Sequence, residues 1–196
     1  MPKSLAARLS LILSAVAAVA VLALVAWFYF PRDDGAGSAI GGPFNLVDQH
    51  GRAVSDADLR GQYLLVYFGY TYCPDVCPTE LQTMSRAIDL LGEEGEKVTP
   101  VFITVDPERD TVEQLAAYAE HFHPRLVALT GTAEQVAAAA KAYRVIYRKV
   151  EDESAAEYLM DHSSIVYLMD PKGRFVTHFG GGTGPEKMAE RIRGYL

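Results

Sequence analysis

The apolar run Leu64–Phe68 leads directly into the only two cysteines of the chain, in the segment Tyr72-Cys73-Pro74-Asp75-Val76-Cys77-Pro78-Thr79-Glu80. A buried strand that feeds a helix is the repeating unit of an open α/β sheet, and such sheets carry their chemistry at the carboxyl ends of the strands. Pro78 suits a first helical turn, which makes Cys77 the expected N-cap, with its thiolate favoured by free backbone N–H groups and the helix dipole. Two such sulfurs form either a redox dithiol or a clamp for a soft metal ion.

The rest of the chain supplies the partners of that strand. Phe44–Val54 reads as a hairpin with His50-Gly51 in its turn. Pro78–Leu91 is a helix with Leu81, Met84, Ile88 and Leu91 on one face, and Val98–Val105 is a second buried strand ended by Asp106-Pro107. Asp110-Thr111-Val112-Glu113 reads as a capping box opening a helix to about His121, and Thr132-Ala133-Glu134-Gln135 as another, to about Ala142. Tyr143–Val150 is expected to be extended. Ser164–Met169 and Phe175–Phe179 are strands joined by the turn Asp170-Pro171-Lys172-Gly173, and Pro185 starts a terminal helix. This order, α/β throughout, is the thioredoxin-like pattern with an added N-terminal β-hairpin and an inserted helix.

Ahead of this domain, Leu9–Phe30 carries no charge and, at about 20 apolar residues, is long enough to cross a bilayer as one helix. Lys3 and Arg8 precede it and Trp27, Phe28 and Tyr29 close it, an arrangement that keeps the N-terminus inside and sends the remainder out of the cytoplasm. A cleavable signal peptide is the rival reading; its apolar stretch is usually about 7–15 residues, shorter than this one. The expected organisation is an anchor over 1–32, a Gly/Asp/Ser/Ala tether over 33–43 and one domain over 44–196. Lys3, Arg8 and Arg32 precede every acidic residue, so the remainder holds 15 basic side chains against 25 acidic, a formal −10. Such a surface argues against nucleic acid as a partner.

The cysteine spacing bears on which chemistry is meant. Residues four apart on a helix have Cβ atoms roughly 5–6 Å apart, whereas a disulfide wants about 3.8 Å. A Cys-x-x-x-Cys pair is therefore well spaced to hold a metal, and Pro74 supplies the local kink that still permits the disulfide. A structural zinc site normally needs four protein ligands, and the chain has no second cysteine pair. Of the five histidines, His162 lies just before the strand expected to neighbour the dithiol strand. His121 and His123 read as helix-end residues, His50 as a turn residue and His178 as a strand residue. Asp106 and Asp110 are expected to cap the turn between strand and helix, Asp161 to orient the His162 loop, and Tyr67, Tyr70 and Tyr72 to wall the site.

Taken in order, Tyr72-Cys73-Pro74-Asp75-Val76-Cys77-Pro78, Val105-Asp106-Pro107-Glu108-Arg109-Asp110-Thr111, Asp161-His162-Ser163 and Asp170-Pro171-Lys172-Gly173 resemble the motifs of the Sco/SenC family of cytochrome c oxidase assembly proteins. The resemblance runs from about Phe44 to the C-terminus, and a membrane anchor is also typical of that family. It implies a copper chaperone on the outer face of the inner membrane, with Cys73, Cys77 and His162 binding Cu(I) or Cu(II). The implied partners are the copper-binding subunit of the oxidase and a soluble copper donor protein. A different chemistry fits the same dithiol: a thiol-disulfide oxidoreductase, with Cys73 and Cys77 as catalytic residues, that keeps the copper-ligand cysteines of the oxidase reduced.

Overall fold

The computed structural model describes residues 13, 18, 19, 21, 40–150 and 158–196, and in it the run Leu64–Phe68 forms the heart of strand β3 (Tyr63–Gly69). All five side chains are buried, as a strand apolar on both faces requires. All but residues 13, 18, 19 and 21 of the expected anchor, and most of the tether, fall outside the described residues; among those described, no helix is long and apolar enough to cross a membrane. The chain divides into two units, Met1–Ala36 and Gly37–Leu196, and the elements described below lie in the second.

The N-terminal hairpin is β1 (Asn45–Asp48) and β2 (Ala53–Ser55), turned at Gly51, whose φ of +77° is one that glycine adopts freely. After β3 come helix α1 (Val76–Leu91), strand β4 (Val98–Thr104), helix α2 (Val112–Ala119) and strand β5 (Val127–Thr130). Helix α3 (Ala133–Ala142), strands β6 (Tyr147–Val150), β7 (Leu159–His162), β8 (Ile165–Met169) and β9 (Phe175–Gly180), and helix α4 (Pro185–Arg193) complete the order. Seven strands form one mixed sheet, β2-β1-β5-β4-β3-β8-β9, in which β3, β4 and β5 run parallel and β8 lies antiparallel to β3. Strand alternation divides the core: Tyr67 and Phe102 stack toward α1 and α2, while Phe68 meets Tyr143 at the end of α3, ring centroids 5.3 Å apart.

Most sequence expectations hold, and the departures are informative. Strand β5 was not anticipated, although Leu126–Leu129 is a short apolar run, and it fills the position between β1 and β4. Strands β6 and β7 pair only with each other, so His162 ends a strand of a separate ribbon instead of lying in a loop. The capping box over Thr132–Gln135 forms as expected, but helix α2 is capped by Thr111 alone, through Gln114 N–H.

Asp110 is not a cap. It is fully buried and its carboxylate accepts hydrogen bonds from Thr71 N–H at 3.0 Å, Thr71 Oγ1 at 2.6 Å and Thr104 Oγ1 at 2.6 Å. Its carbonyl takes a fourth bond, from Thr130 Oγ1, at 2.8 Å. Burial pushes the Asp110 carboxyl pKa up, against the pull of the Thr104 and Thr71 bonds. Replacing Asp110 with Ala strands the buried Thr104 hydroxyl and the two half-buried Thr71 donors, at a cost of about 3 kcal/mol. Thermal unfolding of Asp110→Ala should fall by roughly 6–12 °C; an unchanged midpoint would show that this network is not structural.

Candidate metal centre

Between β3 and α1 the chain turns back on itself, with the Cys73 N–H on the Tyr70 carbonyl at 3.4 Å and Pro74 next, which has no N–H to satisfy. Helix α1 begins at Val76 with Asp75 as N-cap, so Cys77 is its second residue and not its cap, which corrects the expectation from the sequence. Pro78 falls at the third position, where its missing donor costs nothing. The free Cys77 N–H instead donates to the Cys73 sulfur, at 3.4 Å. The helix terminus thus serves the other cysteine.

The two thiols are unequal as a result. A hydrogen bond from the Cys77 thiol, helped by His162 and by the Asp75 and Cys77 N–H groups, outweighs burial and holds the Cys73 thiol well below the usual range. Donating that bond and being fully buried both push Cys77 up. The sulfurs are not joined by a disulfide. Cys77 is seated against the backbone of β3: a Cβ at Gly69 would stand 2.9 Å from the Cys77 sulfur and 3.0 Å from the Phe102 ring, so only glycine fits there.

His162 reaches the dithiol from β7. Its Nε2 lies 3.3 Å from Cys77 Sγ, and its Nδ1 lies 3.3 Å from the Ser163 carbonyl. With the proton on Nε2 the ring is a donor to the sulfurs; with the proton on Nδ1 it satisfies that carbonyl and Nε2 is left to bind a metal ion. Tyr67 and Tyr70, both buried, stand edge-on to the imidazole with centroids 6.0 Å away. Tyr72 does not join this wall; it is exposed beneath the Arg109 guanidinium, 4.7 Å from its ring centroid.

The remaining candidates serve other roles. Asp106 is buried and binds Arg109 Nε at 2.6 Å and the Tyr158 hydroxyl at 2.8 Å. Asp161 pairs across the ribbon with Arg148 at 2.7 Å on an exposed surface, a tie between β7 and β6 next to His162. His50 and His123 line a cleft with Glu120, next to Leu126 at the start of β5 and so at the opposite end of the sheet from the dithiol; His123 Nδ1 accepts from Arg125 N–H. His178 stacks on Phe175 in β9. Among the described residues no three His, Cys, Asp or Glu side chains converge as a ready-made cage. Cys73, Cys77 and His162 meet through hydrogen-bond contacts, and two thiolates with one imidazole form a donor set suited to copper. Gly69, Arg109 and Tyr158 were not singled out in the sequence, where nothing local marks a close approach or a ring sandwiched between distant cations.

The family model described as SCO1/SenC matches residues 32–196. Protein SCO1 homolog 1, mitochondrial, of Arabidopsis thaliana is 49% identical over 156 residues, 79% of this chain and 46% of that protein. Protein SCO2 homolog, mitochondrial, of Homo sapiens is 45% identical over 81% of this chain and 61% of that protein, so the chain spans about half to three-fifths of the length of these relatives. The solved structure of Bradyrhizobium japonicum ScoI with copper bound superposes with a TM-score of 0.73 at 44% identity, covering 80% of this chain and 99% of that one. BsSco, described as having a disulfide switch and as a member of the Sco family of cytochrome c oxidase assembly proteins, gives a TM-score of 0.62 at 25% identity, covering 79% and 92%.

The unequal thiols predict unequal reactivity. With iodoacetamide, the reduced, metal-free chain should be alkylated at Cys73 first, and the Cys73 rate should hold its plateau as the pH falls from 8 to 6. An ordinary thiol, with a pKa near ~8.5, would lose about tenfold per pH unit over that range. A tenfold fall at Cys73, read by peptide mass spectrometry, would contradict the assignment.

Proposed function

The chain belongs to the SCO1/SenC family, and from that premise we propose that it is a copper chaperone serving assembly of the dicopper site of cytochrome c oxidase. The observation that carries this reading is the 3.3 Å approach of His162 Nε2 to Cys77 Sγ beside a second sulfur. Cys73 and Cys77 bind the ion as thiolates and His162 completes three-coordination. Copper here is cargo: a low-coordinate ion reached from the half-buried Cys73 side passes to an acceptor by stepwise exchange of one ligand at a time. Loading displaces the thiol protons, which Cys73, already inclined to ionise, gives up most readily.

The proposed organisation is a membrane anchor over 1–32, a tether over 33–43 and the copper-binding domain over 44–196, outside the cytoplasm on the inner membrane. The copper-binding subunit of the oxidase is the proposed acceptor, and a soluble protein the proposed donor. Thiol-disulfide exchange is the second reading, favoured by the thiol asymmetry itself. In that reaction the Cys73 thiolate attacks a partner disulfide and expels one partner thiolate. Cys77 then attacks the mixed disulfide, leaving the partner as a dithiol and this chain with a Cys73–Cys77 disulfide.

Substitution at His162 separates the two. His162→Ala in the full chain should lower Cu(II) affinity by about a hundredfold and weaken Cu(I) far less, because imidazole is the ligand that the harder ion needs, while leaving the dithiol able to reduce a model disulfide. Cells carrying this variant should lose oxidase activity. Retained oxidase activity with Cu(II) binding abolished would favour the reductase.

Copper retention should also depend on oxidation state. Oxidising Cys73 and Cys77 to the disulfide should release the ion, and reduction followed by reloading should restore one copper per chain by elemental analysis. A disulfide form that keeps its metal would place the ligands elsewhere.

A further inference from the structure

The imidazole and the sulfurs sit on parts of the fold that share no strand ladder. Among the described residues the backbone ladder pairs β6 and β7 only with each other, a Met160 backbone hydrogen bond to Tyr70 adds one tie to the dithiol loop, and a lone two-stranded ribbon is marginal in water. Something outside the ladder must hold β7 in place for His162 to meet Cys77. Residues 158, 160 and 162 point to one face of the β7 chain direction. Met160 packs against the core and His162 meets the dithiol, which leaves Tyr158 at the far end of that face.

Tyr158 is held by several contacts at once. Its hydroxyl donates to Asp106 Oδ1 at 2.8 Å and its carbonyl accepts from Arg109 Nη1 at 3.0 Å. Its ring lies under two cations, Arg109 Cζ at 3.6 Å and Lys149 Nζ at 3.7 Å from the centroid. Arg109 in turn is fixed by Asp106 and covers Tyr72 and Tyr70, the second of which touches the His162 ring. The turn after β4, the ribbon and the dithiol loop therefore meet at one guanidinium.

We propose that Tyr158, clasped by Asp106 and Arg109, is a positioning residue that locks the β6–β7 ribbon to the sheet and so fixes His162 beside the two sulfurs. For copper selectivity this rests on the ligand assignment above; for the ribbon it rests on the contacts alone. Cation–π contacts and a charge-assisted hydrogen bond are both strongest where water is partly excluded, as at the 14%-exposed Arg109 side chain.

The test uses the full chain purified in detergent, as parent, Tyr158→Phe, Tyr158→Ala and His162→Ala. In the metal-free, reduced state, amide exchange in β7 should quicken about thirtyfold in Tyr158→Ala, while Tyr158→Phe, which keeps the stacked ring, should stay within roughly threefold of the parent. Exchange in β3 and β4 should not change. With copper added, Tyr158→Ala should lose about tenfold in Cu(II) affinity but under about threefold in Cu(I), the pattern of a displaced imidazole and not of a loosened fold. Unchanged β7 exchange, or equal losses for both ions, would overturn the proposal. If His162→Ala binds Cu(II) as tightly as the parent, the copper reading fails, and the exchange data still decide for or against the clasp.

Discussion

One buried carboxylate organises the dithiol end of the sheet. Asp110 bonds Thr71 in the loop that carries the cysteines, Thr104 at the end of β4 and, through its carbonyl, Thr130 at the end of β5. Parallel strands end side by side with no ladder beyond them, so the loops that leave them are set by whatever side-chain bonds they share. Four hydrogen bonds around a buried carboxylate are directional enough to fix the start of the Tyr70–Asp75 segment. Cys73, Arg109 and the Tyr158 contact all take their positions from this frame.

The site assembled on that frame combines two electrostatic regimes. At the α1 terminus, backbone N–H groups and the Cys77 thiol converge on the Cys73 sulfur and favour negative charge there. A few residues away the Arg109 and Lys149 cations are neutralised by Asp106, by Glu108 and by aromatic faces. The positive charge is thereby spent on structure and does not lie bare beside the sulfurs. The result is a pocket that favours negative charge on Cys73 while its surroundings remain nearly balanced.

Much of this was legible in the sequence because it rests on local pattern. The apolar runs of β3 and β4, the face of α1, the turn at Gly51 and the cap at Thr132 are each written within a dozen residues, and the cysteine spacing marked the dithiol. What was not legible depends on contacts between distant segments. The identity of the α1 N-cap turned on whether the helix starts before or after Cys77, and Asp75 took that place without offering a side-chain bond. Asp110 resembled a cap because acidic residues precede many helices; its partners, Thr71 among them, lie up to 39 residues away. β7 went unseen because its ladder partner is an equally short strand and its apolar positions, Leu159 and Met160, are adjacent instead of alternating. The motif resemblance located His162 but did not reveal what carries it.

The close passage of Gly69 beneath the second sulfur has a mechanical consequence. Cys77 is fully buried, seated against the β3 backbone at Gly69 and fixed in the first turn of a helix, so it has little room to move. Any event that changes the distance between the two sulfurs, whether bond formation between them or opening around an ion, must be accommodated by Cys73 and the short arc from Tyr70 to Asp75. The dithiol is a hinged jaw closing on a fixed anvil. A partner that presses on that arc acts on the moving half directly, and the sheet behind it takes up none of the motion.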